Sequence, residues 1–207
     1  MLRAGGLFVV SVAVNFYAAR YATESESNPV TDIILSHLPV FDVGGIFAYG
    51  VLALAFTVAV VILLRPQSIP FVLASLAVFI LIRSLFITLT HIGPFPQHAT
   101  YDSLPIAGRL FLFGGDLFFS GHTGIPFLMA LISWQTRALR YSFVCWSILF
   151  AATSLLGHYH YTIDVLSAYF ITYAIHHINI WLFPKEYAVF RGRTWRASAP
   201  CKDKSAC

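Results

Sequence analysis

The sequence predicts an all-α fold, an integral membrane bundle of six transmembrane helices with both termini in the cytoplasm. Three observations predict it. Hydrophobic residues make up 58% of the 207 residues and charged ones 11%, against roughly 45–50% and about 25% in ordinary soluble domains. The apolar residues fall into six runs near membrane-crossing length. Basic residues collect in alternate loops. A soluble chain of this size has too little interior to bury so much apolar surface; a lipid solvent removes that requirement. The formal net charge of +4 is modest and gives no reason to invoke nucleic acid, so the bilayer is the expected partner.

The first run, Leu2–Tyr17, is short and contains Arg3. A cleaved signal peptide is the alternative reading, but no small-x-small site follows. The second and third, Ile46–Leu64 and Ile69–Thr90, flank a turn bracketed by Pro66 and Pro70. The fourth, Leu117–Trp134, holds Pro126, which should kink it, and the fifth is Tyr141–Gly157. The sixth, Thr162–Phe183, stops at Pro184. Residues 1–184 therefore read as one transmembrane domain and residues 185–207 as a basic, flexible cytoplasmic tail. There is no internal repeat and no soluble second domain. Cys145, Cys201 and Cys207 read as free thiols rather than a disulfide framework.

Six spans put both termini on one side. That side then receives Arg3, Arg65, Arg137, Arg140, Lys185, Arg191, Arg193, Arg196, Lys202 and Lys204, ten of the 13 basic residues. Basic residues in short loops mark the cytoplasmic face. Glu24, Glu26, Asp32, Asp42, Asp102 and Asp116 fall at or near the other face. Two outer loops are long. Residues 22–45 contain Thr31 and Asp32, either of which can cap an amphipathic turn lying along the interface. Residues 91–116 are rich in proline and histidine and read as an ordered lid or rim.

Two clusters carry chemistry, since ionisable groups in spans are functional candidates by default. Residues 114–124 read Gly-Gly-Asp-Leu-Phe-Phe-Ser-Gly-His-Thr-Gly and enter the fourth span from outside. Residues 157–164 read Gly-His-Tyr-His-Tyr-Thr-Ile-Asp and enter the sixth, also from outside. Both therefore reach the same face and depth. His160 and Asp164 are four apart, which on a helix places them on one face. A carboxylate there holds the imidazole tautomer and leaves Nε2 as nucleophile or base. His122 can supply the complementary acid. Ser120, Gly121 and nearby backbone N–H groups sit near a helix N-terminus, which favours an anion such as phosphate. Arg83 lies in the outer half of the third span and can bind phosphate or pair with Asp116 or Asp164. His158 joins Arg83, Asp116, Ser120 and Gly121 as a substrate-binding candidate. A lone interfacial histidine is more often a hydrogen-bonded anchor than a catalyst; the pairing of two segments, each with a His and an Asp, is what argues for a site.

A zinc site built on His158, His160 and Asp164 is the competing reading. His176 and His177 cannot join it, because they lie about 24 Å further along the helix axis. The expectation is a site with no metal and no cofactor. Phe118, Phe119, Tyr159 and Tyr161 can be read as a cage for a choline cation, or more plainly as interface aromatics.

At these residues the sequence resembles the sphingomyelin synthase family, a branch of the type 2 phosphatidic acid phosphatase superfamily. The G-D-x-x-x-S-G-H-T run at 115–123 is similar to that family's third signature, and the H-Y-T-I-D-V-x-x-A-Y run at 160–169 to its fourth. Arg83 to Pro94 loosely resembles the second, and the D-x-x-x-x-x-L-P-x-F-D stretch, Asp32 to Asp42, also recurs in such proteins. The resemblance implies a six-helix membrane bundle and a catalytic triad of His122, His160 and Asp164. It further implies metal-independent transfer of a phospho-headgroup from a phospholipid donor to a ceramide-like acceptor, on the non-cytosolic face. The phosphatase branch carries a Lys and an Arg-Pro ahead of the S-G-H motif and a Ser-Arg before the second His. Here Arg65-Pro66 falls at the cytoplasmic face, and Thr153-Ser154 stands where Ser-Arg would. A phosphate monoester carries nearly two charges and a diester one, so the missing bases favour a diester donor. Hydrolysis of a lipid phosphate by the same triad is the second expectation, and a non-enzymatic lipid-binding role the third.

Overall fold

The computed structural model of the chain describes residues 2–99 and 117–192. Among the described residues there is no strand. Four segments are long and apolar enough to cross a membrane: Leu2–Glu24, Gly44–Leu64, Pro66–Leu89 and Arg137–Leu156. We label the helices α1 (Leu2–Glu24), α2 (Gly44–Leu64), α3 (Ile69–Leu89), α4 (Gly121–Ile132), α5 (Arg137–Leu156), α6 (Thr162–Leu182) and α7 (Pro184–Phe190). Helix α1 runs past its expected end at Tyr17, carried by an exposed Arg20–Glu24 pair at 2.7 Å with favourable i,i+4 spacing.

The fourth expected span differs from the sequence reading. Helix α4 has 12 residues rather than a membrane-crossing length. Leu117 to Ser120 stay outside the helix because their backbone groups bond elsewhere: the Phe119 carbonyl accepts from Arg83 Nε at 3.0 Å, and Ser120 N donates to the Asp164 carbonyl at 3.1 Å. Non-helical backbone is tolerated at membrane depth where protein satisfies it. Helix α6 has 21 residues and coincides with the sixth expected span to within one residue, though it is not among those four segments. Helix α7 lies within the expected tail. Pro184 opens it, and Tyr187 and Phe190 pack on Phe71 of α3 with ring centroids 5.1 and 5.6 Å away. Residues 193–207, with Cys201 and Cys207, lie outside the described residues.

Packing follows small residues and aromatic rings. Ala18, Ala19 and Ala22 bring α1 against Ile87 of α3, the close approach that small residues permit between membrane helices. Helix α4 sits between α3, α5 and α6. Its Gly124 leaves room for Phe79 and Thr172: a Cβ there would stand 2.7 Å from Phe79 Cζ and 2.9 Å from Thr172 Oγ1. Phe47, Phe71, Phe79, Phe119, Phe143 and Phe150 are buried in one core. Leu52, Phe56, Leu63, Leu64, Leu89, Phe170 and Trp181 are exposed, as side chains facing acyl chains would be.

At one end the loops are knit together. Ser27 N donates to the His91 carbonyl at 2.9 Å, Phe41 N to Leu156 at 2.9 Å and Ala99 N to Gly157 at 3.0 Å. Tyr161 Oη donates to the Gly93 carbonyl at 2.8 Å and accepts from Val30 N at 3.2 Å. The expected cap at Asp32 is present: Oδ1 accepts from Ile34 N at 2.9 Å and Leu35 N at 3.1 Å, starting a short 3₁₀ turn at Leu35–His37. Residues 91–99 form part of this rim; residues 100–116 lie outside the described residues.

Candidate active site

His122 stands in the first turn of α4, one residue after Gly121. Ser120 caps that helix, its Oγ accepting from Thr123 N at 3.4 Å. Pro126, four residues after His122, has no N–H to offer the His122 carbonyl. His160 lies in the turn before α6, and Asp164 in that helix's first turn. This corrects the helical-face reading of the pair. The helix starts at Thr162, so the spacing is closed by the chain folding back: Asp164 Oδ2 accepts from Tyr161 N at 2.9 Å and stands 3.7 Å from His160 Nδ1. That separation is an ion-pair distance, longer than a hydrogen bond. Catalytic contacts of this kind often tighten when substrate is bound.

The two motifs meet through the backbone. The Ser120 N to Asp164 carbonyl bond joins the start of α4 to the start of α6. The imidazole rings of His122 and His160 then lie with centroids 6.4 Å apart. Phe47 of α2 covers His122 at 4.6 Å, and Phe150 of α5 lies at 6.1 Å. His160 is 6% exposed and Asp164 fully buried. His122 Nδ1, His160 Nδ1 and Asp164 Oδ1 are buried with no hydrogen-bond partner. Each such group carries a desolvation penalty of about 1–3 kcal/mol. Three at one spot are what a site built for a polar ligand contains.

Arg83 is buried in α3 and reaches across Gly121, where a Cβ would meet its Nε at 3.1 Å. Together with its bond to the Phe119 carbonyl, this places a guanidinium beside the α4 N-terminus. Of the other candidates, Ser120 and Gly121 form that same turn, and Asp116 lies outside the described residues. His158 has one ring nitrogen engaged and the other buried without a hydrogen-bond partner. Its Nδ1 is 2.8 Å from the Gln97 carbonyl and its ring meets the face of Phe95 at 5.1 Å. It fastens residues 95–97 to the α5–α6 turn, in a left-handed conformation at φ 55°. Among the described residues there is no group of three or more His, Cys, Asp or Glu side chains that could hold a metal ion. Phe119 is packed on Phe79 at 5.4 Å and Tyr161 is occupied in the rim.

Sequence reasoning missed two contributors. Asp32 holds the start of α6 as well as its own turn: Oδ2 accepts from Thr162 N at 2.7 Å and Oδ1 from Thr162 Oγ1 at 3.0 Å. Burial raises its carboxyl pKa, but the hydrogen bonds from Thr162, Leu35 and Ile34 outweigh that and hold it below the ordinary carboxylate value. Phe47 is the aromatic wall on His122. No local pattern links either to the site, because the partners are 130 residues apart for Asp32 and on a separate helix for Phe47.

The fold and this cluster define a membrane helix protein with two histidines and a carboxylate at one end. Residues 114–180 match the family model described as PAP2 superfamily C-terminal. The match spans about a third of the chain and contains His122, His160 and Asp164, and it supports the type 2 phosphatidic acid phosphatase superfamily without choosing a branch. Members of that superfamily are typically enzymes acting on phosphate esters. No curated protein and no solved structure matches the chain significantly.

Proposed function

We propose that the protein is a membrane phosphotransferase that moves a phospho-headgroup from a glycerophospholipid to ceramide or a similar lipid alcohol, releasing diacylglycerol. The observation that carries this reading is the Ser120–Asp164 backbone bond at 3.1 Å, which sets His122 beside His160. His160 Nε2 attacks phosphorus, and the bond from phosphorus to the diacylglycerol oxygen breaks as His122 protonates that oxygen. Asp164 retains the Nδ1 proton of His160 and stabilises its positive charge. His122 then takes the proton of the acceptor hydroxyl, whose oxygen attacks phosphorus and breaks the P–N bond. Arg83 and the α4 N-terminus offset charge on the phosphoryl oxygens.

Among the described residues Arg83 is the guanidinium beside the turn, and one cation suits the one negative charge of a diester, which favours a phospholipid donor over a phosphate monoester. The superfamily match favours a second reading, in which water takes the acceptor's place and the enzyme is a lipid phosphatase or a phospholipase C-type hydrolase. We place the site on the non-cytoplasmic face, because the basic residues concentrate at the opposite end. Thiol reagents reaching Cys201 and Cys207 only after the membrane is opened would support that orientation; labelling in sealed cells would reverse it.

Purified protein incubated with fluorescent ceramide and one candidate phospholipid at a time tests the reaction. A new polar fluorescent lipid with one donor is expected, reduced by at least about 10³-fold in His160→Ala. Diacylglycerol or phosphate released at the same rate without ceramide would replace transfer by hydrolysis.

A further inference from the structure

At the end of the bundle opposite His122 and His160, the α2–α3 turn, the α4–α5 turn and the end of α7 enclose a cavity of about 470 Å³. This is within the range of small-molecule sites. The chain topology fixes the separation: α6 runs from the site to this end over 21 residues, roughly 30 Å at 1.5 Å per residue. Arg65 and Arg191 line the cavity with Gln67, Ser133 and Thr136, and among the described residues no Asp or Glu lines it. Its apolar lining includes the half-buried Val61, Leu139 and Phe190.

The two cations are positioned by their surroundings. Arg65 Nη1 donates to Thr136 Oγ1 at 3.1 Å, which ties one turn to the other. Arg191 follows directly on Phe190, whose ring stacks on Phe71 at 5.6 Å. A neighbouring cavity of about 360 Å³ shares Ile132, Gln135, Phe190 and Arg191, so apolar surface continues past the guanidinium. Two cations with no carboxylate beside them among the described residues, set against apolar side chains at a helix-bundle end, match an anionic amphiphile: phosphate to the arginines and glycerol with the first acyl carbons to the apolar lining.

We propose that this cavity is a second lipid site, distinct from the His122/His160/Asp164 cluster, that takes the headgroup of an anionic phospholipid. In the orientation proposed above it opens to the cytoplasmic leaflet, where anionic lipids attract basic side chains. The site is an accessory one; its occupant sits a helix length from the reacting histidines.

The test is a thermal-shift titration of the full chain in a neutral detergent. Short-chain phosphatidylglycerol is the probe, with short-chain phosphatidylcholine and glycerol phosphate as comparators. Phosphatidylglycerol should raise the melting temperature saturably. The midpoint should move roughly 30-fold to higher concentration in R65Q/R191Q, since each basic side chain near an anionic lipid contributes about a fivefold gain. R65K/R191K should keep the wild-type midpoint within a few fold, and phosphatidylcholine should act equally on all three proteins. The proposal fails if R65Q/R191Q leaves the phosphatidylglycerol midpoint unchanged, or if R65K/R191K weakens it as far as the Gln variant, which would mark a structural effect. A saturable shift of the same size with glycerol phosphate alone would assign the cavity to a soluble anion and overturn the lipid assignment.

Discussion

At the end that carries His122, His160 and Asp164, four chain segments are tied by backbone bonds from Ser27, Phe41, Ala99 and Ser120, and Asp32 and Tyr161 add side-chain ties. At the other end the turns are held mainly by the Arg65–Thr136 contact and the Phe71 stack, and they leave an open, cationic cavity. The closed end is knit by these bonds yet, among the described residues, buries five imidazole and carboxylate atoms without a hydrogen-bond partner, on His91, His122, His158, His160 and Asp164. The open end leaves its charges exposed. The difference separates two jobs. Rigid backbone can hold ionisable groups in an unfavourable place, as a reaction centre requires. Exposed arginines beside an apolar lining need little support and suit reversible contact with a surface.

The comparison breaks first at Asp164. Replacing it with Asn removes the charge that orients His160 and keeps the shape, so headgroup release should fall by about 10²–10⁴-fold. Helix content should stay near wild type, because Asn can still accept from Tyr161 N. Rates within tenfold of wild type would show that the closed end is rigid for stability alone. Next in size is Gly124→Val. The first added carbon would meet Phe79 and Thr172, both wholly buried, and overpacking of this kind costs about 1–3 kcal/mol. The melting temperature in detergent should fall by several degrees, and an unchanged value would mean that α4 can move away from α3.

The smallest effect is expected at Asp32. Asp32→Asn removes a charge-assisted acceptor from Thr162, worth about 1.5–3 kcal/mol in a buried setting and less here, where Asp32 is only half-buried. Hydrogen exchange at the start of α6 should rise while exchange in α2 does not. The pH sign follows from its depressed carboxyl pKa. The stabilisation is present above the unfolded carboxylate value of about 3.9 and is lost as pH falls through the lower folded value. Acid should therefore loosen the wild-type rim below about pH 4, a response that Asp32→Asn lacks; equal acid sensitivity in both proteins would remove Asp32 from the account.

Much of this was legible before any coordinates. The two His-containing motifs were readable as a joint site because each stands where the chain enters a helix from the same side. The apolar runs gave the positions of the helices, with α1 ending seven residues later and α5 starting four residues earlier than the runs implied. The 12-residue length of α4 was not readable, since Leu117, Phe118 and Phe119 are as apolar as the helix they precede. What keeps them out of it is a guanidinium and a carbonyl supplied by Arg83 and Asp164. The same holds for His158, whose Nδ1 contact with the Gln97 carbonyl, 61 residues away, has no local signature.

The sequence by itself determined the solvent of this protein, the order of its helices and the residue types of its two motifs. Those depend on composition, on runs of apolar side chains and on breakers such as Pro66 and Pro184, all of which act over a few residues. Only the tertiary structure decided that His122 lies beside His160, that Asp164 stands in a first helical turn with His160 outside the helix, and that Asp32 holds that turn. These are contacts between atoms far apart in the chain. Their geometry depends on which backbone groups remain unsatisfied once the helices have packed.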